Sequence, residues 1–141
     1  MDCEIRVKSI AEQLDNIFAG IAFYCPACGE THTQQPNEYE QDTQPCPSCG
    51  EDMEHMTFRD YFEDNLGVDV TVDMYDPTQV RYGRILVAFG GPNIYVDTGD
   101  EEVQLFWWMD TAKAPIRHEV AQAIDEYLQD EWELSLACRG H

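Results

Sequence analysis

The chain begins with apolar residues at helical spacing. From Val7 to Ile21, apolar side chains recur mostly at intervals of three or four positions, with polar residues between them. This spacing predicts an N-terminal helix whose apolar face packs on the segment that follows or on the second half of the chain. The face consists of Val7, Ile10, Leu14, Ile17, Phe18 and Ile21.

A second, shorter helix is predicted to begin after Thr57. Thr57 has the side chain of an N-cap residue, and Asp60 lies three positions later, where a capping-box partner belongs. Gly67 is a natural stop, which gives the helix a length of about ten residues. Its apolar face consists of Phe58, Tyr61, Phe62 and Leu66.

Beyond the second helix the pattern changes to alternation, which predicts antiparallel strands. Apolar residues at 68, 70, 72 and 74 alternate with polar ones, so one face is covered and the other carries Asp69 and Asp73. Phe106 and Trp108 share the second face of the last strand, which implies that this face is covered too or offers a contact patch. The three strands after the first are predicted at 84–89, 94–96 and 103–109, with turns at 90–93 and 97–100.

A C-terminal helix is predicted from Pro115, the residue type favoured at a first helical position. Ile116, Val120, Ile124 and Tyr127 line its buried side. On the opposite side, four carboxylates lie within one stripe about 60° wide, at 100° per residue. They are Glu119, Glu126, Asp130 and Glu133.

Two copies of one short phrase lie between the first two helices. The sequence C-P-x-C-G-E occupies residues 25–30 and again residues 46–51. Four thiolates in two C-x-x-C pairs at this spacing are typical of a structural Cys₄ zinc ribbon, which residues 21–55 resemble. The glycine after each second cysteine can take a positive φ, so that backbone N–H groups point at the thiolates. The predicted ligands of one structural Zn²⁺ are Cys25, Cys28, Cys46 and Cys49.

The same cysteines have other possible roles, which stay open. The sequence does not favour a catalytic metal. Disulfides, a redox C-x-x-C or a rubredoxin-like iron remain open alternatives. Catalytic zinc keeps a position open for water, whereas four thiolates close the shell. His32 and His55 flank the two pairs and could replace a cysteine, but we expect exposed loop residues there.

The chain as a whole is predicted to have an α+β fold. An N-terminal helix and a Cys₄ zinc ribbon form residues 1–55. Residues 56–141 form a helix, about four strands of an antiparallel β-meander, and a C-terminal helix. We expect this second unit to be able to fold alone.

Charge limits the function classes. The 28 Asp and Glu against 8 Lys and Arg give a formal net charge of −20, and no Lys or Arg lies between Ser9 and Phe58. Nucleic-acid binding needs cations that contact phosphates, so direct DNA or RNA binding is not expected. Binding to an anionic membrane surface is not expected for the same reason. Because 43% of the residues are hydrophobic, the acidity belongs to a folded surface rather than a disordered tail.

The sequence offers no targeting segment and no complete catalytic motif. Residues 1–4 lack the basic and apolar regions of a signal peptide, and reduced C-x-x-C pairs favour the cytoplasm, here of a host bacterial cell. Asp97, Thr98 and Gly99 spell the aspartic-protease triplet, which would need a second carboxylate from a dimer. A hairpin turn in which Gly99 supplies a positive φ explains the triplet better. We therefore expect a non-enzymatic protein.

The acidic residues suggest a surface that binds where a nucleic-acid-binding protein normally binds phosphates. Carboxylates about 5–7 Å apart on a strand or helix can occupy the phosphate pockets of a nucleic-acid-binding protein. A solvated acidic face without a partner is the alternative. The candidate residues are the α-helical stripe Glu119, Glu126, Asp130 and Glu133, the strand residues Asp69 and Asp73, and Asp60, Glu63 and Asp64 beside them.

With its cysteine quartet and acidic body, the chain resembles the small, acidic, non-enzymatic anti-CRISPR proteins of phages and mobile elements. In particular it is similar to a zinc-binding member that acts on type II systems. The likeness is one of size, charge and metal cage, without a diagnostic functional motif. It implies that the partner is Cas9, whose heteroduplex channel is positively charged, and that target DNA loading is blocked. A host adaptor or regulatory zinc ribbon that binds another basic protein is the competing reading.

Overall fold

The computed structural model describes residues 2–33 and 45–139. The predicted α+β layout is confirmed: an N-terminal helix, the cysteine segment, antiparallel strands and a C-terminal helix follow one another. The elements are α1 (Cys3–Ala19), β1 (Ala22–Tyr24), β2 (Thr31–Thr33), β3 (Glu54–His55), α2 (Phe58–Tyr61), β4 (Gly67–Val72), β5 (Val80–Ala88), β6 (Asn93–Asp97), β7 (Glu102–Trp107), β8 (Asp110–Pro115) and α3 (His118–Arg139).

A five-stranded antiparallel meander, in the order β4-β5-β6-β7-β8, forms the larger sheet. One face of each strand is apolar, and this inner face is covered by the two long helices. α1 packs over β7 and β8, and α3 packs over β5. The buried core includes Val7 and Leu14 of α1, Ile85 and Leu105 of the sheet, and Ile124 of α3.

The cysteine segment forms a second, smaller sheet in the order β2-β1-β3. Phe23 of β1 lies opposite His32 of β2 on one side and His55 of β3 on the other. Its hydrophobic cluster is separate from the main core and consists of Phe23, Cys25, Cys46 and Met53. Residues 34–44, between the two cysteine pairs, lie outside the described part of the chain.

The N-terminal helix belongs to the main core through its buried face. Asp2 caps α1 by accepting hydrogen bonds from the backbone N–H groups of Glu4 and Ile5. Val7 and Leu14 then pack with the five-stranded sheet, while the helix also contacts β1. The division into residues 1–55 and 56–141 stays a prediction, and α1 shares a core with the second of these two units.

The second helix begins where the sequence predicts and ends earlier. The capping box of Thr57 and Asp60 is present in both directions. The helix stops after four residues instead of about ten, because Asn65 donates from its backbone and its side chain to the carbonyl of Phe62. The N–H of Leu66 then donates to the carbonyl of Leu86, and β4 begins at Gly67, which pairs with Leu86.

The end of the sheet differs from the prediction in strand number. A fifth strand, β8, occupies residues 110–115, and Pro115 closes it instead of opening the last helix. Proline is tolerated there because β8 is an edge strand, where a missing N–H breaks no ladder bond. α3 begins at His118 and runs for 22 residues.

A two-residue turn joins β7 to β8 and exposes two large apolar side chains. Trp107 and Asp110 are paired, so Trp108 and Met109 form the turn. Trp108 has a φ of 58° and is 91% exposed, and Met109 is 98% exposed. A positive φ is unusual for a bulky residue and is normally met by glycine in such hairpins. Trp108 is therefore a surface residue held in strained backbone, whereas Trp107 packs partly against the core.

We predict that Trp108→Gly raises the free energy of unfolding by about 1 kcal/mol, because it removes the strain of a positive φ and gives up almost no burial. Met109→Gly is the matched control, since no positive φ occurs at Met109 and glycine there only adds entropy to the unfolded chain. Urea unfolding followed by circular dichroism measures both. A Trp108→Gly variant that is less stable than the wild type would contradict the claim that the backbone at Trp108 is strained.

Candidate metal centre

The two cysteine pairs fold into the same backbone turn. The N–H of Gly29 donates to the carbonyl of Cys25, and the N–H of Gly50 donates to that of Cys46, both at 2.8 Å. Each turn is closed by the first cysteine, whose N–H donates to Glu30 in one case and to Glu51 in the other. Gly29 and Gly50 have φ values of 78° and 81°, as the sequence predicts.

These turns bring the four sulfurs together. Sγ of Cys25 lies 3.4 Å from Sγ of Cys49, and Sγ of Cys28 lies 3.7 Å from Sγ of Cys46. All four sulfurs lie within 4.8 Å of one another, close enough to hold one metal ion. The same distances exclude disulfides here, since a disulfide bond is about 2.05 Å long.

The local hydrogen bonds favour thiolates at two of the four sulfurs. The backbone N–H of Cys28, against the cost of burial, lowers the pKa of Cys25 to about 7. Burial opposes ionisation of Cys46, but the N–H groups of Ser48 and Cys49 outweigh it and lower its pKa. At Cys49 the N–H of Glu51 favours the thiolate, yet the hydrogen bond to Cys25 and burial raise the pKa to about 12. Four thiolates therefore need a cation among them.

The described residues of the cysteine segment bury few side chains. Cys25 and Cys46 are buried beside Phe23 and Met53, while Cys28 and Cys49 are exposed. Four buried side chains, two of them cysteines, offer little hydrophobic free energy against the entropy of ordering the segment. A bound metal ion would supply the missing stability, as it does in small metal-dependent domains.

The two histidines near the centre lie in strands, where the sequence predicted loops. Nε2 of His32, on β2, lies 3.9 Å from Sγ of Cys46 and 3.3 Å from Oε2 of Glu30. His55, on β3, packs its ring on Phe23 with 4.5 Å between ring centroids. No pattern in the sequence indicates that Glu30 contacts a histidine, although Glu30 belongs to the repeated C-P-x-C-G-E phrase.

The predicted carboxylate stripe of the last helix is present. Its four members are exposed, and none of them forms an ion pair with another residue in 2–33 or 45–139. Oε1 of Glu133 accepts one hydrogen bond, from the side chain of Gln129 at 3.1 Å. The stripe consists of Glu119, Glu126, Asp130 and Glu133.

The other predicted carboxylates do not extend that stripe. Asp60 is engaged in the capping box of α2, and Asp73 binds Arg81 at 2.7 Å beyond the end of β4. Hydrogen bonds from Arg81 and from the N–H of Tyr75 lower the pKa of Asp73. Asp69 lies opposite Arg84 on the outer face of the sheet, away from α3. One continuous surface of nine carboxylates is therefore absent.

Glu63 and Asp64 are exposed in the turn that follows α2. α2 touches α3 through Phe62 and Tyr127, whose rings stack with centroids 5.7 Å apart. Tyr127 is one residue past Glu126 and so lies about 100° around the helix from the stripe. Glu63 and Asp64 thus lie beside a side of α3 other than the one that carries the stripe.

The triplet Asp97, Thr98 and Gly99 forms the predicted turn between β6 and β7. Thr98 is buried, donates to Oδ1 of Asp125 at 2.6 Å and accepts from the N–H of Gly83. The positive φ of the turn is at Glu101, at 55°, and not at Gly99. The threonine joins the sheet to α3, and it is closed off from any substrate.

Comparison with protein-family models, with curated proteins and with solved structures returns no match to the chain. No helix in residues 2–33 and 45–139 combines the length and the apolar character needed to cross a membrane.

We predict that Cys25→Ser abolishes binding of a metal ion and unfolds the segment from β1 to β3, since the burial there cannot replace the metal. The main core is a separate cluster, so helical circular dichroism and the exchange protection of β5 to β7 remain. Metal content by mass spectrometry and hydrogen exchange measure the two effects. Cys138→Ser, at an exposed position on α3, is the matched control and leaves both unchanged. A Cys25→Ser variant that keeps one metal per chain would contradict this ligand set.

We predict that the free energy of unfolding of Asp125→Asn increases relative to that of the wild type as pH rises. Burial raises the pKa of Asp125 above its ordinary value of 3.8; Thr98 and His118 oppose this rise and Glu101 adds to it. The contribution of Asp125 to the free energy of unfolding is therefore present below pH 3.8 and is lost as pH rises through the folded-state pKa. Asparagine keeps an acceptor for Thr98 and does not ionise. Urea unfolding of both proteins from pH 3.5 to 8 checks this; a difference that is constant with pH would contradict it.

Proposed function

We propose that this chain is a non-enzymatic binding protein that holds one structural Zn²⁺ and presents the acidic stripe of α3 to a positively charged surface of a nucleic-acid-binding protein. Cas9 is the partner we propose, in line with the resemblance of size, charge and cysteine cage. Binding there would block the loading of target DNA.

The cysteine geometry supports zinc as the metal. Zn–S bonds of about 2.3 Å in a tetrahedron give S···S separations of about 3.8 Å. The separations of 3.4 and 3.7 Å are close to that value, and a small opening of the turns suffices to reach it. A closed shell of four thiolates is typical of structural zinc and leaves no position for a reacting water.

The observation that carries the proposal is the uncompensated charge of the stripe. Five of the eight Lys and Arg residues form ion pairs with carboxylates elsewhere on the described surface. The helix stripe forms none there, so its four carboxylates, which are part of the formal net charge of −20, present a negative potential that no described cation pairs with. The pairs are Arg59–Glu131, Arg81–Asp73, Arg84–Asp97, Lys113–Glu102 and Arg117–Asp15.

A rigid helix is a suitable carrier for such charges. Glu126 and Asp130 are one turn apart, with about 5–6 Å between their Cβ atoms, and Glu133 continues the row. Carboxylates in a fixed row can enter pockets that Lys and Arg side chains form for phosphates. Cas9 holds its guide–target duplex in a basic channel through the nucleic-acid backbone. An acidic helix on that surface would compete with DNA without any chemical step.

The arrangement of polar groups supports a function without catalysis. The buried hydroxyl of Thr98 donates a hydrogen bond to the carboxylate of Asp125, and this bond joins the sheet to α3. Nδ1 of His118 contacts Glu101 at 2.7 Å, and no serine, threonine or cysteine shares that contact in the described residues. Nε2 of His32 lies beside the sulfur of Cys46, and the ring of His55 lies on Phe23.

The competing reading, a host adaptor that binds a different basic protein, uses the same acidic stripe. It differs in one measurable respect, because an adaptor does not have to compete with DNA for its partner. A gel shift of labelled target DNA with guide-loaded Cas9, at increasing concentration of this protein and at two salt concentrations, separates them. Loss of the Cas9–DNA band supports the proposal, provided that DNA alone is not shifted. An intact band at every concentration would exclude blocked loading of that Cas9.

We predict that Glu126→Lys with Asp130→Lys weakens inhibition of DNA loading by about tenfold or more at low salt, and that the loss is smaller at high salt. Glu4→Lys with Glu12→Lys changes the net charge equally on α1 and is the matched control. Both pairs of residues are exposed, so thermal unfolding of the variants stays close to that of the wild type. Equal inhibition by the two double variants would show that the stripe is only solvated.

A further inference from the structure

A second set of metal-ligating side chains adjoins the four-cysteine cluster. Ligand atoms of Glu30, His32 and Cys46 all lie within 4.8 Å of one another. Within the part of the chain that the structure describes, Cys46 is the one cysteine that belongs to both sets. The sulfur of Cys46 lies 3.9 Å from Nε2 of His32 and 3.7 Å from Sγ of Cys28.

We infer that His32 is a reserve ligand, whose Nε2 takes the coordination position of Cys46 when that thiolate is lost. The metal then stays bound by Cys25, Cys28, Cys49 and His32. This inference rests on the proposed zinc site. Three thiolates and one imidazole form a stable structural set for Zn²⁺, and replacing a thiolate by a neutral nitrogen also reduces the negative charge of the site.

The fold holds the imidazole beside the cluster from two directions. β2 is paired with β1, and the register places His32 opposite Phe23, next to the strand that leads into Cys25. Oε2 of Glu30 contacts Nε2 of His32 at 3.3 Å and also accepts a hydrogen bond from the hydroxyl of Ser48. Glu30 therefore holds the histidine near the second cysteine turn, and its contact with Nε2 gives way when that nitrogen binds the metal.

His55 does not share this property, although the register places it on the other side of the same phenylalanine. Its ring lies on Phe23, and it belongs to neither ligand set in the described residues. The two histidines flanking the cysteine pairs are thus equivalent in the sequence and different in the structure. Only His32 is predicted to ligate.

The test compares Cys46→Ala with Cys49→Ala, its matched control from the same turn. We expect Cys46→Ala to bind one Zn²⁺ per chain, whereas Cys49→Ala binds it much more weakly. Adding His32→Ala to Cys46→Ala lowers the zinc affinity at least about 100-fold, because loss of an outer-shell partner alone costs about 10–100-fold. Competition with a chromophoric chelator measures the affinities.

Cobalt gives a signature that a merely structural histidine would not produce. In Co²⁺-loaded Cys46→Ala, the visible d–d bands move to shorter wavelength than in the wild type, and the thiolate charge-transfer band weakens, because nitrogen replaces sulfur. His32→Ala alone keeps the four-sulfur spectrum. Placing His32→Cys on the Cys46→Ala background restores the four-sulfur spectrum, which also shows that the variant folds.

Each failure has its own outcome. A wild-type chain that binds no Zn²⁺ would overturn the proposed metal site and the reserve ligand with it. Equal zinc loss in Cys46→Ala and Cys49→Ala, with the wild type loaded, would overturn the reserve ligand alone. So would an unchanged zinc affinity when His32→Ala is added to Cys46→Ala. Circular dichroism of the helices confirms in each case that the separate main core is folded.

Discussion

Burial of the inner face of the five-stranded sheet is the interaction on which the other features depend. The helices that cover this face come from opposite ends of the chain: α1 supplies Val7 and Leu14, and α3 supplies Ile124 and Leu128. The chain must therefore leave the core after α1 and return to it at α2. The cysteine segment connects these two points, and the main core fixes both of its ends.

This arrangement divides the stabilising forces between two centres. The main core has enough apolar surface to fold by the hydrophobic effect. In its described residues the cysteine segment has a cluster of four buried side chains, two of which are cysteines, and a metal ion held by its sulfurs would add to its stability. Five ion pairs between Lys or Arg and a carboxylate lie outside the cysteine turns, and none of them includes the acidic stripe of α3.

The sequence predicts the features that local chemistry determines. Helical spacing locates α1 and α3, the Thr57–Asp60 pair locates the start of α2, and the repeated C-P-x-C-G-E phrase gives the cysteine turns and their glycine conformations. β8 escaped prediction because its buried residues are only Ala112 and Ala114, which carry little strand signal. The contact of His32 with Cys46 follows from the pairing of β1 with β2, which no local pattern encodes. Alternation does place Asp69 on the outer face of its strand, but the packing of α3 on the other face is tertiary.

The packing of α1 on β7 and β8 also sets an order of events during synthesis. Val7 leaves the ribosome long before Ala112, so the apolar face of α1 has no sheet to cover until nearly the whole chain has been made. The described hydrogen bonds that form the cysteine turns and pair their strands lie within residues 22–33 and 45–55. The turns can bind an ion while the rest of the chain is still being synthesised. The metal centre can then form before the five-stranded sheet and α3.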